Sequence, residues 1–160
     1  MNEPERGVPE IETLATLERL WALDHGLQAV SRSMLSRFGV TAPQRFVIRL
    51  IGRDPGLTAG TLARRLHDHP STLTATLKRL VEQGLVVRLA DEADLRRVRL
   101  TLSDAGRAVD STSDGTVESA LRAALARMSE DEASAFRAAL GRVAEELERT
   151  AALSRERGQD

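Results

Sequence analysis

Between residues 58 and 102 the apolar spacing changes from helical to alternating, and few architectures accept that order. Thr58 stands at the head of a short helical pattern with Leu62, Ala63 and Leu66 on one face. His67-Asp68-His69-Pro70 interrupts it, and a second helix is predicted from about Ser71 to Gln83. Leu73, Leu77, Leu80 and Val81 point inward from that helix, and Gly84 is its stop. Beyond Gly84 the period is two. Val87 and Leu89 alternate with Arg88, while Val98, Leu100 and Leu102 alternate with Arg99 and Thr101. The eight residues from Ala90 to Arg97 form a densely charged loop between these strands.

Two helices joined by a tight turn and followed by a two-stranded hairpin is the order of a winged helix-turn-helix. The expected fold is therefore mainly α with a small β-hairpin wing, carried between long N- and C-terminal dimerisation helices. Residues 1–10, with Pro4, Gly7 and Pro9, read as a flexible arm. Over residues 11–37, Leu20, Leu23, Leu27, Val30 and Met34 step by three and four along one long helix, and Gly39 ends it. Thr41 and Gln44 have capping-box spacing, with Pro43 in the first turn. The helix they open is expected to show Phe46, Val47, Leu50 and Ile51 on one face, before the turn Asp54-Pro55-Gly56.

The winged domain is placed at residues 38–107 and the C-terminal helices at 108–152. Ser103 is a cap for a helix through Ala105, Ala108 and Val109, expected to continue past Asp110–Thr116 toward Leu121 and Leu125, with Gly115 as a kink. Ser129 and Glu132 form a second capping box, followed by Ala133, Phe136, Leu140, Val143 and Leu147 at helical spacing. Residues 153–160 are expected to be a disordered tail. The narrow stripes at the two ends are best covered by the same stripes of a second copy, giving a homodimer. The plain alternative is that both ends fold back on their own subunit.

Charge is distributed unevenly. Residues 1–57 hold 7 basic and 7 acidic side chains, residues 58–107 hold 9 and 6, and residues 108–160 hold 7 and 11. A basic middle is thus masked by a net charge of −1. With no cysteine, disulfides, thiolate metal sites and thiol redox chemistry are excluded. No uncharged apolar run approaches the ~18 residues of a membrane span, and the first residues lack the order of a secretory signal, so a cytoplasmic protein is expected.

Opposite Leu73, Leu77 and Leu80, the second helix presents Ser71, Thr72, Ala75, Lys78, Arg79 and Glu82. Hydroxyls near a helix N-terminus suit base edges in a major groove, and Ala75 suits a thymine methyl. Lys78 and Arg79, with Arg64 and Arg65 on the preceding helix, suit phosphates. In the loop, Arg96 and Arg97 beside Asp94 suit a guanidinium held by a carboxylate over a minor groove. Each of these is also an ordinary solvated surface by default, and Asp94 with its arginines an ordinary ion pair.

The segment Pro70-Ser71-Thr72-Leu73-Thr74, then Leu77-Lys78-Arg79-Leu80 and Gly84-Leu85-Val86, resembles the recognition helix of the MarR family of transcriptional regulators. Asp91-x-x-Asp94-x-Arg96, then Leu102-Ser103-x-x-Gly106, resembles that family's wing and the start of its next helix, and Gly39-Val40-Thr41-x-x-Gln44 the start of its second helix. The resemblance spans residues of about 11–152. Ala75, Glu92 and Leu95 depart from common family residues, at positions that bear on base preference rather than fold. The resemblance implies a homodimer that binds a pseudo-palindromic operator in double-stranded DNA, Thr74 being carried over with the recognition helix. It makes Arg96 the minor-groove residue and Asp94 its positioner, and implies a repressor relieved by a small aromatic or anionic effector.

Candidate effector contacts are Trp21 and His25 on one face of the first helix, with Phe46 and Arg49 on the second. Packing at the dimer seam is the plainer role for the first two. His67-x-His69 is read as part of a turn near phosphates; adjacent loop histidines do not make a metal site. No cofactor is expected, and no catalytic motif is present, so no enzyme is expected. The rival from another class is a winged-helix protein–protein interaction module without specific DNA binding.

Overall fold

The computed structural model describes residues 9–66, 70–91 and 98–157. In chain order these are α1 (Glu10–Phe38), α2 (Ala42–Arg53), β1 (Leu57–Thr58), α3 (Ala59–Leu66), α4 (Pro70–Glu82), β2 (Val86–Ala90), β3 (Val98–Leu102), α5 (Asp104–Ser111), α6 (Val117–Leu125) and α7 (Glu130–Arg157). Residues up to Val117 form one compact unit and residues from Glu118 a second.

In the first unit, local chemistry sets the helix ends. Gly39 closes α1 in the left-handed region at φ 72°, its N–H donating to the Leu35 carbonyl. Two residues later the capping box forms: Gln44 N–H donates to Thr41 Oγ1 at 3.4 Å, and Thr41 N–H to Gln44 Oε1 at 2.9 Å. Ser31 Oγ accepts the Ala42 N–H at 3.0 Å, fastening the start of α2 to α1. Along α2 the buried side is Gln44, Arg45, Val47, Ile48 and Ile51. Phe46 is 50% exposed, so the expected face of Phe46, Val47, Leu50 and Ile51 is rotated toward Ile48. Steps of three and four through Gln44, Ile48 and Ile51 place the stripe one residue away from Phe46.

The sheet has the order β1-β3-β2 and is antiparallel throughout. Its third strand, β1, was not anticipated from the sequence. Two residues carry no period, and Thr58 also serves α3, its Oγ1 accepting the Thr61 N–H at 3.2 Å. The hairpin pairs Val86 with Leu102 and Arg88 with Leu100, so Val86, Leu100 and Leu102 face the core. Val87 and Leu89, opposite Thr101 and Arg99, are exposed on the other face. The run Leu85-Val86-Val87 has no parity of its own, and pairing with β3 chose it. The core joins Val47, Ile48 and Ile51 of α2 to Leu62, Leu73, Leu77 and Leu80 of α3 and α4 and to the inward residues of β2 and β3.

The expected continuation of α5 into α6 is replaced by a break. Ser103 Oγ caps α5 through the Gly106 N–H at 3.0 Å, but the helix stops at Ser111 and Thr112 is extended. Arg45, 2% exposed, explains the stop. Its guanidinium donates to the carbonyls of Val109, Asp110 and Thr112, which a continuing helix would have kept for itself. Gly115, at φ 71°, then turns the chain toward α6.

In the second unit, Ser129 caps α7. Ser129 N–H donates to Glu132 Oε2 at 2.7 Å and Glu132 N–H to Ser129 Oγ at 3.2 Å. The Ser129 backbone bond, then its side chain, holds the Glu132 carboxyl below the usual carboxylate range. A depressed pKa contributes stability above the ordinary glutamate range and loses it as pH falls through the lowered value. Glu132→Gln is therefore expected to lower Tm near neutral pH, with the difference closing in acid; thermal melts across pH check this. The helix runs to Arg157, past residue 153 where the tail is expected to begin. Ala151, Ala152 and Leu153 are strong helix formers, and Ser154 Oγ bonds back to the Thr150 carbonyl at 3.0 Å.

Candidate nucleic-acid interface

α4 presents two chemically distinct sides. Leu73, Leu77 and Leu80 are buried in the core, where α4 packs on α3 and β2, which fixes the rotation of the helix. Thr72, Ala75, Lys78, Arg79 and Glu82 are exposed on the remaining surface, as the spacing predicts, and Thr74 is exposed beside them. Ser71 lies in the first turn, but its side chain is outside the described residues. Small residues occupy the N-terminal half of this surface and the cations the C-terminal half. Lys78 Nζ is 3.8 Å from Glu82 Oε1, an exposed pair one turn apart that leaves the ammonium free to reach an anion.

The preceding helix holds its two arginines differently. Arg64 Nη2 donates to Thr61 Oγ1 at 3.2 Å on α3 itself. Arg65 Nη2 is 2.8 Å from Asp54 Oδ2 in the turn after α2, and both side chains are nearly half exposed. A phosphate contact by Arg65 would share this guanidinium with Asp54. Asp94, Arg96 and Arg97 lie outside the described residues, as do His67 and His69. The strands that flank the wing loop end in the pair Ala90 and Val98.

The four candidate effector residues divide between two helices. Trp21, 58% exposed, and His25 share an open side of α1, and Phe46 is exposed on α2. Arg49, one turn beyond Phe46, is engaged with α5: its Nη1 is 2.9 Å from Asp110 Oδ1 and 3.1 Å from the Asp110 carbonyl. Among the described residues no cluster of three or more His, Asp or Glu is arranged to hold a metal, and no helix is long and apolar enough to cross a membrane.

Sequence reading passed over two features of the lobe. Arg45 was counted only as a charge: α2 carries three arginines, and nothing in their spacing singles out the buried one. Arg99 was read only as the outward residue of a strand, yet it is 2.8 Å from Asp91. The signal was an acid and a base at diagonal positions across the hairpin.

A helix with a buried leucine side and an exposed hydroxyl-then-cation side, followed by a charged hairpin, defines a winged helix-turn-helix DNA-binding regulator. The MarR family model matches residues 38–97. The HTH-type transcriptional repressor Rv2887 of Mycobacterium tuberculosis is 32% identical over 95 residues, covering 59% of this chain and 68% of that protein. The PcaV transcriptional regulator of Streptomyces coelicolor, solved with its natural ligand, superposes with a TM-score of 0.63 at 26% identity, covering 91% of this chain and 98% of that one. FabT of Streptococcus pneumoniae, solved with DNA, has the same fold, with a TM-score of 0.67 at 22% identity over 87% of this chain and 99% of that one. The chain belongs to the MarR family of transcriptional regulators.

Proposed function

We propose that the protein is a homodimeric repressor that binds a pseudo-palindromic operator and releases it when a small aromatic or anionic molecule binds. The exposed side of α4 carries this reading: Thr72, Thr74 and Ala75, with Ser71, meet base edges, while Lys78 and Arg79 meet phosphates. Arg64 and Arg65 add backbone contacts from α3, and Arg96, positioned by Asp94 and flanked by Arg97, enters the minor groove. The winged domain spans residues 38–107. Dimerisation runs through α1 and the helices of residues 108–152, an assignment supported by Leu14, Leu17, Trp21 and Leu147, all exposed in the single chain.

Trp21, His25, Phe46 and Arg49 supply aromatic surface and a guanidinium for the effector, a reading supported by the ligand-bound relative PcaV. Effector binding acts as a population shift, favouring a spacing of the two reading heads that misfits the operator. The protein acts in the cytoplasm and has no catalytic role.

Fluorescence anisotropy on DNA from upstream of its own gene, at several salt concentrations and with unrelated competitor, tests the reading. Binding that survives competitor and weakens log-linearly with salt is expected. Thr72→Ala shifts sequence preference by about 1–3 kcal/mol. Lys78→Ala and Arg79→Ala weaken operator and unrelated DNA alike, each lowering the salt slope by about one. Absence of binding at low salt overturns the reading in favour of a protein–protein interaction module.

A further inference from the structure

The hairpin carries an ion pair that reading by α4 does not account for. Arg99 lies in the middle strand of the sheet, opposite Leu89 of β2 on one side and Thr58 of β1 on the other. Its Nε donates to Asp91 Oδ2 at 2.8 Å. Asp91 stands one residue beyond Ala90, the last paired residue of β2, and its side chain is 8% exposed against 52% for Arg99. The register explains the meeting. Leu89 faces Arg99 directly, so Asp91, two residues on, is the diagonal neighbour on the same side of the sheet.

The stem of Arg99 also crosses the turn that follows α2. A Cβ placed on Gly56 would sit 3.7 Å from Arg99 Cδ and 3.6 Å from its Nη1. Gly56, at φ 94°, donates its N–H to the Leu100 carbonyl at 2.9 Å. One side chain thus lies beside the turn before β1, springs from the middle strand, and bonds the residue at which the chain leaves β2. A carboxylate this buried is disfavoured without its cation, so the two groups hold each other in place.

We propose that Asp91 and Arg99 are a positioning pair for the wing, fixing where β2 ends and β3 begins and so the direction in which the wing arginines meet DNA. The inference rests on the DNA-binding function proposed above. It differs in sign from a purely electrostatic effect. Asp91→Asn removes a negative charge close to the nucleic acid, which by charge alone strengthens binding. Loss of positioning weakens it. Arg99→Lys keeps the charge but replaces the fixed guanidinium fork with a flexible point donor, so any weakening there is geometric.

The experiment measures anisotropy of the full chain on its upstream DNA and on an unrelated duplex at fixed salt. Asp91→Asn and Arg99→Lys are each compared with the wild type, alone and in an Arg96→Ala/Arg97→Ala background. Each variant is expected to bind both duplexes about tenfold more weakly, with the preference for upstream DNA unchanged. In the background lacking the wing arginines, neither substitution is expected to cost anything further. Unchanged or tighter binding by both variants overturns the proposal, and so does an equal loss in both backgrounds, which would mark a role in folding rather than in positioning. If Asp91→Asn melts below the assay temperature, Arg99→Lys decides by the same comparison. Wild type that binds neither duplex at low salt overturns the DNA-binding reading and this proposal together, whereas wild type that binds beside unaffected variants overturns this proposal alone.

Discussion

Gly106→Ala is expected to lower the stability of the winged lobe by about 3 kcal/mol, and Gly106→Val by more. A Cβ at this position would fall on the Leu85 carbonyl oxygen, with the Leu85 carbonyl carbon at 3.0 Å and Leu102 Cβ at 3.3 Å. The oxygen has nowhere to go. It accepts the Ser103 N–H at 3.1 Å, while the N–H of Leu85 is committed to the Leu80 carbonyl at 2.9 Å. Ser103 Oγ further bonds the Gly84 carbonyl at 2.6 Å, closing the joint between the end of α4 and the start of α5. Overpacking against side chains can relax through rotamers; against a backbone held on both sides it cannot, which puts the cost at the upper end of the usual range. Gly60→Ala is the contrast. Nothing lies within 4 Å of the added carbon in α3, so a gain of about 0.5–1 kcal/mol is expected. Thermal melts followed by circular dichroism separate the two, with Gly106→Ala lowering Tm by about 10 °C. Equal melting of the two variants would contradict the packing account.

Arg45→Met is expected to cost about 3–5 kcal/mol, whereas Arg49→Met on the same helix costs about 0–1 kcal/mol. Both arginines reach α5, but burial separates them. Arg45 is enclosed and donates to the carbonyls of Val109, Asp110 and Thr112 at the C-terminal end of that helix, where a cation also meets the negative end of the dipole. Methionine fills the space but takes the charged donor from all three carbonyls: Val109 keeps the Thr112 N–H and Asp110 keeps Arg49, while the Thr112 carbonyl loses the guanidinium, at about 1–3 kcal/mol for an orphaned group. Arg49 is 45% exposed, and water takes over its contact with Asp110 when the guanidinium is removed. Arg45→Lys is expected to recover part of the loss, since one ammonium replaces the charge but not the fork. Urea denaturation, with the slope unchanged and the midpoint shifted, checks the ranking, and similar midpoints for Arg45→Met and Arg49→Met would contradict it.

These two sites show where sequence reading reaches its range. Gly106 was visible as part of a family-like pattern, but the reason for a glycine there is a carbonyl 21 residues earlier that packs against it. Arg45 gave no local sign of its role because its acceptors are 64 to 67 residues away. The buried side of α4 was legible, since Leu73, Leu77 and Leu80 repeat at helical spacing and their burial fixes what remains exposed. The loop residues Asp94, Arg96 and Arg97 rest on the sequence pattern, and the structure contributes the strand pair that delivers them.

Interactions that close within about four residues were written in the chain: the capping boxes Thr41–Gln44 and Ser129–Glu132, and the left-handed glycines Gly39 and Gly84. The period change that announces two helices and a wing belongs with them, because spacing along the chain is spacing on a helix or strand. The strand β1, the outward face of Val87 and Leu89, the break between α5 and α6, and the Asp91–Arg99 pair arose only when distant segments met. Each depends on a partner chosen by packing, and one residue of register or one buried cation is enough to change the outcome.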